Sequence, residues 1–205
     1  MNRWMGRLTR AWWQWARNGA AITARTREGR RFGSMGARSH LAFPQGALTG
    51  SERIHIGADC IVNEHSVLSA GLPGADLGDG DPMIVLGDRC VLGRNSEILA
   101  MSSVVLGDDV WTSSRVTIVD HHHRHDLTDV PVAAQWPLPV RPVTIGSGTV
   151  ISTGSVILAG AQIGENSIVA SGAQVTAGTY PPNSVLAGVP ARVIRTHTAV
   201  EADAV

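Results

Sequence analysis

The sequence predicts an all-β chain wound into stacked three-sided coils, about five to six of them, with a basic amphipathic helix in front and one long loop excursion. Three observations predict it: aliphatic residues that return every sixth position, insertions that all leave the coil at one corner, and tryptophans and arginines crowded into the first 22 residues.

The period comes first. Ile56-Gly57, Leu86-Gly87, Leu106-Gly107, Ile145-Gly146 and Ile163-Gly164 each open a run of aliphatics six apart: Ile56, Val62, Leu68; Leu86, Leu92, Ile98; Leu106, Thr112, Ile118; Ile145, Ile151, Ile157; Ile163, Val169, Val175. Only Thr112 breaks the pattern. Small residues, including Cys60, Ser66, Cys90, Ser96, Ser155 and Ala173, stand four positions after an aliphatic. A period of six suits neither an amphipathic helix nor an alternating strand. It suits a coil of three short sides, each sending one large and one small residue inward, with coils stacked roughly 4.8 Å apart like strands in a sheet. Successive aliphatic-Gly pairs lie 30, 20, 39 and 18 residues apart, so removing the 18 of one coil leaves 12, 2, 21 and 0. All extra length therefore emerges between the third side and the next first side.

In this repeat the chain resembles the hexapeptide-repeat acyltransferases, over residues 50 to 195. The stretch VTIGSGTVISTGSVILAGAQIGENSIVASGAQVTAGTYPPNSVLAGVPARVIR is similar to the galactoside, maltose and xenobiotic O-acetyltransferase branch. The resemblance implies a left-handed parallel β-helix, a homotrimer, and an acyl-CoA donor, most simply acetyl-CoA. The chain departs from that branch at Val150, where a tryptophan is common, and at Ala177, where a basic residue is common.

The largest insertion begins inside VDHHHRHD, residues 119 to 126, which sets four histidines in five positions. With Pro131, Pro137, Pro139 and Pro142 it reads as a stiff loop over 122–142. The resemblance puts a catalytic histidine where the coil runs into this loop: His121, with His123 as the second motif histidine. A hydroxyl is a poor nucleophile until a base takes its proton, and imidazole, with an ordinary pKa near 6.5, suits that task. The expected reaction is direct attack of a sugar hydroxyl on the thioester, with a backbone N–H holding the oxyanion. Asp120 is expected on the opposite face of an extended segment, fixing the turn rather than orienting His121. His122 and His125 read as loop residues. His121, His123 and His125 share a face and are also a candidate zinc set. The gamma carbonic anhydrases of this fold, however, need a histidine pair in the next coil, and Ile145 to Gln162 contains none. No metal is expected.

For the donor, the resemblance carries contacts onto Thr153, Ser171, Thr176 and Ala177, and onto Arg192 and Arg195 as partners of the CoA phosphates. Val193 and Ile194 between those arginines are expected to pack. Asn95, Trp111 and Trp136 are candidates to meet the acceptor. The same fold and base allow N-acyl transfer to an amino sugar, and a catalytically silent scaffold is the alternative of another class.

Residues 1 to 50 hold nine arginines against the single acid Glu28, while 51 to 205 hold eight arginines against sixteen acids. Residues 2 to 22 read as a helix with Trp4, Met5, Leu8, Trp12, Trp15 and Ile22 on one face and Arg3, Arg7, Arg10 and Arg17 opposite. Trp13 lies off the stripe. Too many arginines interrupt it for a bilayer span or a secretory leader. Two roles stay open. It lies in an anionic membrane interface, which makes a lipid-linked saccharide the acceptor, or it caps the open end of the β-helix. Aromatics turned away from the arginines, above an acidic body, exclude nucleic acid as the expected partner. Residues 23 to 50 read as an irregular connection, 51 to 195 as the acyltransferase domain and 196 to 205 as a mobile tail. Cys60 and Cys90 are expected reduced, and the location cytoplasmic, peripheral on the inner membrane face.

Overall fold

For a six-residue period to close a coil, every sixth side chain must point inward, and each of them does. In the computed structural model, which describes residues 3–72 and 80–197, short parallel strands stack into three flat sheets. The first contains Ile54–Ile56, Ile84–Leu86, Val104–Leu106, Val143–Ile145 and Ala161–Ile163. The second contains Ile61–Val62, Val91–Leu92, Trp111–Thr112, Val150–Ile151 and Ile168–Val169. The third contains Val67–Ala70, Glu97–Ala100, Thr117–Val119, Val156–Ile157 and Gln174–Val175. Each coil visits the three in turn, so residues six apart in sequence sit on successive sides, and residues one coil apart pair in register, as Ile98 does with Leu68 and Ile118.

The aliphatics of the five runs form one continuous core, none more than 5% exposed, each worth about 2 kcal/mol of apolar burial. The small residues four positions on are buried beside them. Thr112 is tolerated because its hydroxyl accepts the Gly93 N–H at 2.9 Å, so no polar atom is left unpaired. The aliphatic-Gly pairing has a steric cause. A Cβ on Gly57 would stand 2.6 Å from the Gly87 carbonyl in the next coil, and one on Gly146 would stand 2.4 Å from the Glu165 nitrogen. The first two corners of each coil turn at the third residue after the aliphatic, in left-handed backbone: Asp59, His65, Arg89, Asn95, Asp109, Arg115, Gly148, Gly154, Asn166 and Gly172. His65 is therefore a turn residue.

Three expectations change at the ends. Residues 23 to 50 are not an irregular connection: Ser34–Met35, His40–Leu41 and Leu48–Thr49 form a further coil, paired in parallel with 54–56, 61–62 and 67–70. Met35-Gly36 is another large-residue–Gly pair, stacked on Ile56-Gly57. Its third side comes seven residues after Leu41, one more than the period allows. The helix runs Arg3–Gly19 and stops short of Ile22, which is buried and pairs antiparallel with Leu41. At the other end Thr196 belongs to the last strand, Ala191–Thr196, which folds back antiparallel on Ser184–Gly188. His197 also stays tied, its N–H donating to Asn183 O at 2.6 Å, and the remainder of the expected tail, 198–205, lies outside the described residues.

The helix does not spread its tryptophans over the coil. Trp13, off the stripe, makes the contact, its ring 6.4 Å from Phe43, and Arg17 pairs with Glu64. The stripe itself faces outward: Trp4 is 60% exposed, Leu8 60%, Trp12 62% and Trp15 72%. None of the described helices is long and apolar enough to cross a membrane.

Candidate active site

The third side of the central coil ends at Val119, and the chain bends at Asp120. Asp120 turns inward and is fully buried. Its Oδ1 accepts the Met101 N–H at 2.8 Å, and its Oδ2 accepts those of Ser102 and Ser103, each at 2.7 Å. Oδ1 also lies 3.0 Å from Nδ1 of His121, whose side chain is 17% exposed. Asp120 thus fixes the turn as expected but also orients His121, which was not expected. The reason is the bend at 120: in a continued strand the two side chains would have pointed apart. A carboxylate only accepts hydrogen bonds, so Nδ1 carries the proton and Nε2 of the neutral ring is left with its lone pair.

The loop is tied at its root and in its middle. His121 bridges Val140 antiparallel, His122 N–H donates to Pro139 O at 3.0 Å, and Arg141 N–H donates to Asp120 O at 2.7 Å. Gln135, 1% exposed, accepts the Leu127 N–H and donates to the carbonyls of Leu127 and Val130. No periodicity marks Gln135, and sequence reasoning missed it. Arg124 forms a two-point pair with Asp126, at 2.6 and 2.9 Å, and holds that carboxyl down at about 2. His123 and His125 are exposed, and His125 Nδ1 meets the His123 carbonyl at 3.1 Å. Trp136 is half-exposed on the loop. Among the described residues no group of three or more His, Cys, Asp or Glu side chains is gathered to hold a metal.

Two concavities flank this corner, and His121 lines neither. One of about 450 Å³ lies within the loop, between Arg124–Asp126 and Pro137–Pro139. The other, of about 500 Å³, is lined by Arg141, Gly160, Gln162, Ala177 and Thr179. It sits one to two coils beyond His121 on the same edge, roughly 5–10 Å along the stack. Of the expected donor contacts, Thr176 and Ala177 fall on this edge. Thr153 and Ser171 fall on the next corner, between second and third sheets, as does Asn95, whose backbone is left-handed there. Arg192 and Arg195 stand exposed on the terminal strand, opposite Ala187 and Val185. Val193 and Ile194 do not pack within the chain: they are 39% and 65% exposed, because that strand closes the edge of a sheet and every residue after Ala191 is exposed on one face or the other. Trp111 is on the outer face of the second sheet, its indole N–H donating to Arg89 O at 3.1 Å. Cys60 and Cys90, both buried, stack in neighbouring coils at a different corner. Their thiols donate to carbonyls of the next coil, Cys60 to Gly87 O at 3.0 Å and Cys90 to Gly107 O at 3.1 Å, and burial beside Cys60 pushes the Cys90 thiol up.

Residues 142–177 match the family model "Bacterial transferase hexapeptide (six repeats)", and 83–111 match "Hexapeptide repeat of succinyl-transferase". Galactoside O-acetyltransferase of Escherichia coli is 37% identical over 55% of this chain and 53% of its own length. The putative lipopolysaccharide biosynthesis O-acetyl transferase WbbJ of the same organism is 29% identical over 57% of this chain and 62% of its own. The chain thus spans less than two thirds of the curated relatives it matches. The N-acyltransferase AntD from Bacillus cereus, in complex with dTDP and 3-hydroxybutyryl-CoA, superposes with a TM-score of 0.68 at 15% identity, over 86% of this chain and 92% of that one. At that identity the likeness is one of fold: a left-handed parallel β-helix built of hexapeptide repeats.

Proposed function

We propose that this hexapeptide-repeat chain is an acyl-CoA-dependent O-acyltransferase, most simply an O-acetyltransferase acting on a saccharide hydroxyl, with His121 as the general base. One observation carries it. A buried carboxylate holds Nδ1 of a part-exposed imidazole at the root of a 20-residue-class loop, leaving Nε2 as the free base. The O-acetyltransferase relatives support the reaction class. Nε2 takes the proton of the acceptor hydroxyl as its oxygen bonds to the thioester carbonyl carbon. The ring then returns that proton to the departing thiolate as the C–S bond breaks, so no group stays on the enzyme. The paired Asp120 stabilises the imidazolium between the two transfers. Neither cysteine is at this corner to act as a nucleophile.

The CoA arm is assigned to the edge that runs from His121 past Arg141 to Thr176 and Ala177. Thr153 and Ser171 serve from the next corner of a neighbouring subunit, Arg192 and Arg195 meet the phosphates, and Asn95, at the same corner as Thr153 and Ser171, borders the acceptor. His123 and Trp136 border the acceptor on the loop side. A homotrimer is supported by a ladder of outward apolar side chains on the second sheet, Ile61, Val91, Trp111, Val150 and Ile168, aligned through successive coils, with Ile61, Trp111, Val150 and Ile168 each 37–56% exposed. Peripheral association with an anionic membrane is supported by the outward tryptophan stripe and the arginines beside it, which makes a lipid-linked saccharide the acceptor of choice. Acetyl-CoA turnover on hydroxylated and amino sugars tests the reaction. Thiol release with O-acetylated product is expected, and N-acetylated product alone or no release by folded trimer would overturn it.

A further inference from the structure

At the opposite end of the molecule from the coils that match the transferase model, the last turn of the helix and the first coil enclose a concavity of about 990 Å³. Its lining includes Asn18, Thr23, Arg25, Arg38 and His40. Hydrogen-bonding capacity there is biased to one kind. The Arg25 and His40 side chains have no partner among the described residues, and Arg25 is exposed. Arg38 spends Nε and Nη2 on Asp59, leaving Nη1 to donate. Asn18 spends only its amide oxygen, accepting from Gln14 at 3.2 Å, so its NH2 is free. No carboxylate lines the space, and across residues 1–50 the only acid is Glu28. A wall that offers the Arg25 guanidinium, the remaining Nη1 edge of the Asp59-paired Arg38, an imidazole and an amide NH2, with no carboxylate among its lining residues, suits a phosphate ester. Its volume falls within the range of small-molecule sites and admits the ester substituent as well as the phosphate.

We infer that this concavity binds the phosphate of an anionic lipid headgroup. The source follows from position. Asn18 stands three residues after Trp15, about 4.5 Å along the helix axis, and Trp15 is the most exposed of the tryptophans. A helix lying in a bilayer interface buries its apolar stripe at the headgroup boundary, which puts the mouth beside Asn18 at phosphate depth. The inference rests on the membrane role proposed for the helix and is independent of the acyl transfer.

Two measurements on the full chain test it. The first follows the His40 imidazole by NMR during titration with glycerol 3-phosphate: a saturable shift, lost in Arg25→Ala, is expected. The second measures sedimentation with vesicles of phosphatidylcholine alone and of equal parts phosphatidylcholine and phosphatidylglycerol. The wild type is expected to prefer the anionic vesicles. Arg25→Ala should lose about fivefold of that preference, the effect of about 1 kcal/mol per basic residue, while its binding to neutral vesicles stays unchanged. Trp12→Ala/Trp15→Ala should lose binding to both. A His40 shift with no change of vesicle preference in Arg25→Ala would overturn the lipid as source and leave a soluble phosphate ester. Absence of the shift would overturn the site. A wild type that binds neither vesicle would overturn both the helix role and the headgroup assignment, with acetyl-CoA turnover unaffected.

Discussion

Replacing Asp120 with asparagine changes one atom and sets two demands against each other. Oδ2 serves the Ser102 and Ser103 amides, while Oδ1 serves the Met101 amide and His121 Nδ1. The asparagine oxygen stays at the position with two amides, so its NH2 faces the Met101 N–H, donor against donor. The same NH2 now donates to His121 Nδ1 and forces the ring proton onto Nε2, the atom that must receive the hydroxyl proton. Losing one hydrogen bond to a charged acceptor costs about 1.5–3 kcal/mol, a fall in Tm of about 5–10 °C for a chain of this size. The tautomer change should lower kcat by about 10²–10⁴ with KM for acetyl-CoA little altered. Thermal melting by circular dichroism and thiol release at saturating acetyl-CoA read the two effects separately. Asp120→Asn that folds, melts several degrees lower and still turns over within about threefold of wild type would refute the orienting role, leaving Asp120 as a turn residue alone.

Other perturbations follow from the same contacts. Gln135→Ala removes three hydrogen bonds inside the 122–142 loop. It should raise amide exchange of Leu127 and the cleavage rate within the loop by about tenfold or more, with the melting of the coils unchanged. Arg115 holds left-handed backbone at φ 58° and forms no ion pair among the described residues, so Arg115→Gly should raise stability by about 0.5–1 kcal/mol, read as a higher urea midpoint. Burial pushes the Glu64 carboxyl up, but backbone hydrogen bonding and the Arg94 and Arg17 guanidinium groups outweigh it and hold the group below its ordinary range. A carboxylate with a depressed folded pKa stabilises fully above the unfolded value and loses that contribution as pH falls through the folded one. The attachment of the helix to the first coils should therefore loosen below about pH 4. Proteolysis near Arg17 reads the loosening, and Glu64→Gln should show it already at pH 7.

The core was legible because winding dictates it: residues such as Ile98, Ile118 and Ile157 must recur at fixed spacing wherever a coil closes, and each is fully buried. His121 was legible because it stands where the period ends and the long insertion begins. Asp120 was misread in part because an alternation rule holds only while the strand continues, and the strand ends one residue earlier. The first coil was missed because methionine opens it at Met35 and its third side slips by one residue at Leu48, which hides a period of six. Gln135 could not be found at all from spacing, since a side chain that binds its own loop's backbone leaves no periodic mark. The donor contacts divide for a different reason. Thr176 and Ala177 share an edge with His121, while Thr153 and Ser171 occupy another corner of the same chain, so a single set of spacings describes both and cannot tell them apart.

The most direct measurement is the rate of acyl transfer by His121→Ala, followed as thiol release and as acetylated saccharide by mass, beside His123→Ala in the same assay. With the proton acceptor removed, kcat should fall by about 10²–10⁴ while acetyl-CoA still binds, and His123→Ala should fall far less. Wild-type turnover by His121→Ala would show that another group takes the hydroxyl proton, and the assignment of this corner as the catalytic one would be wrong.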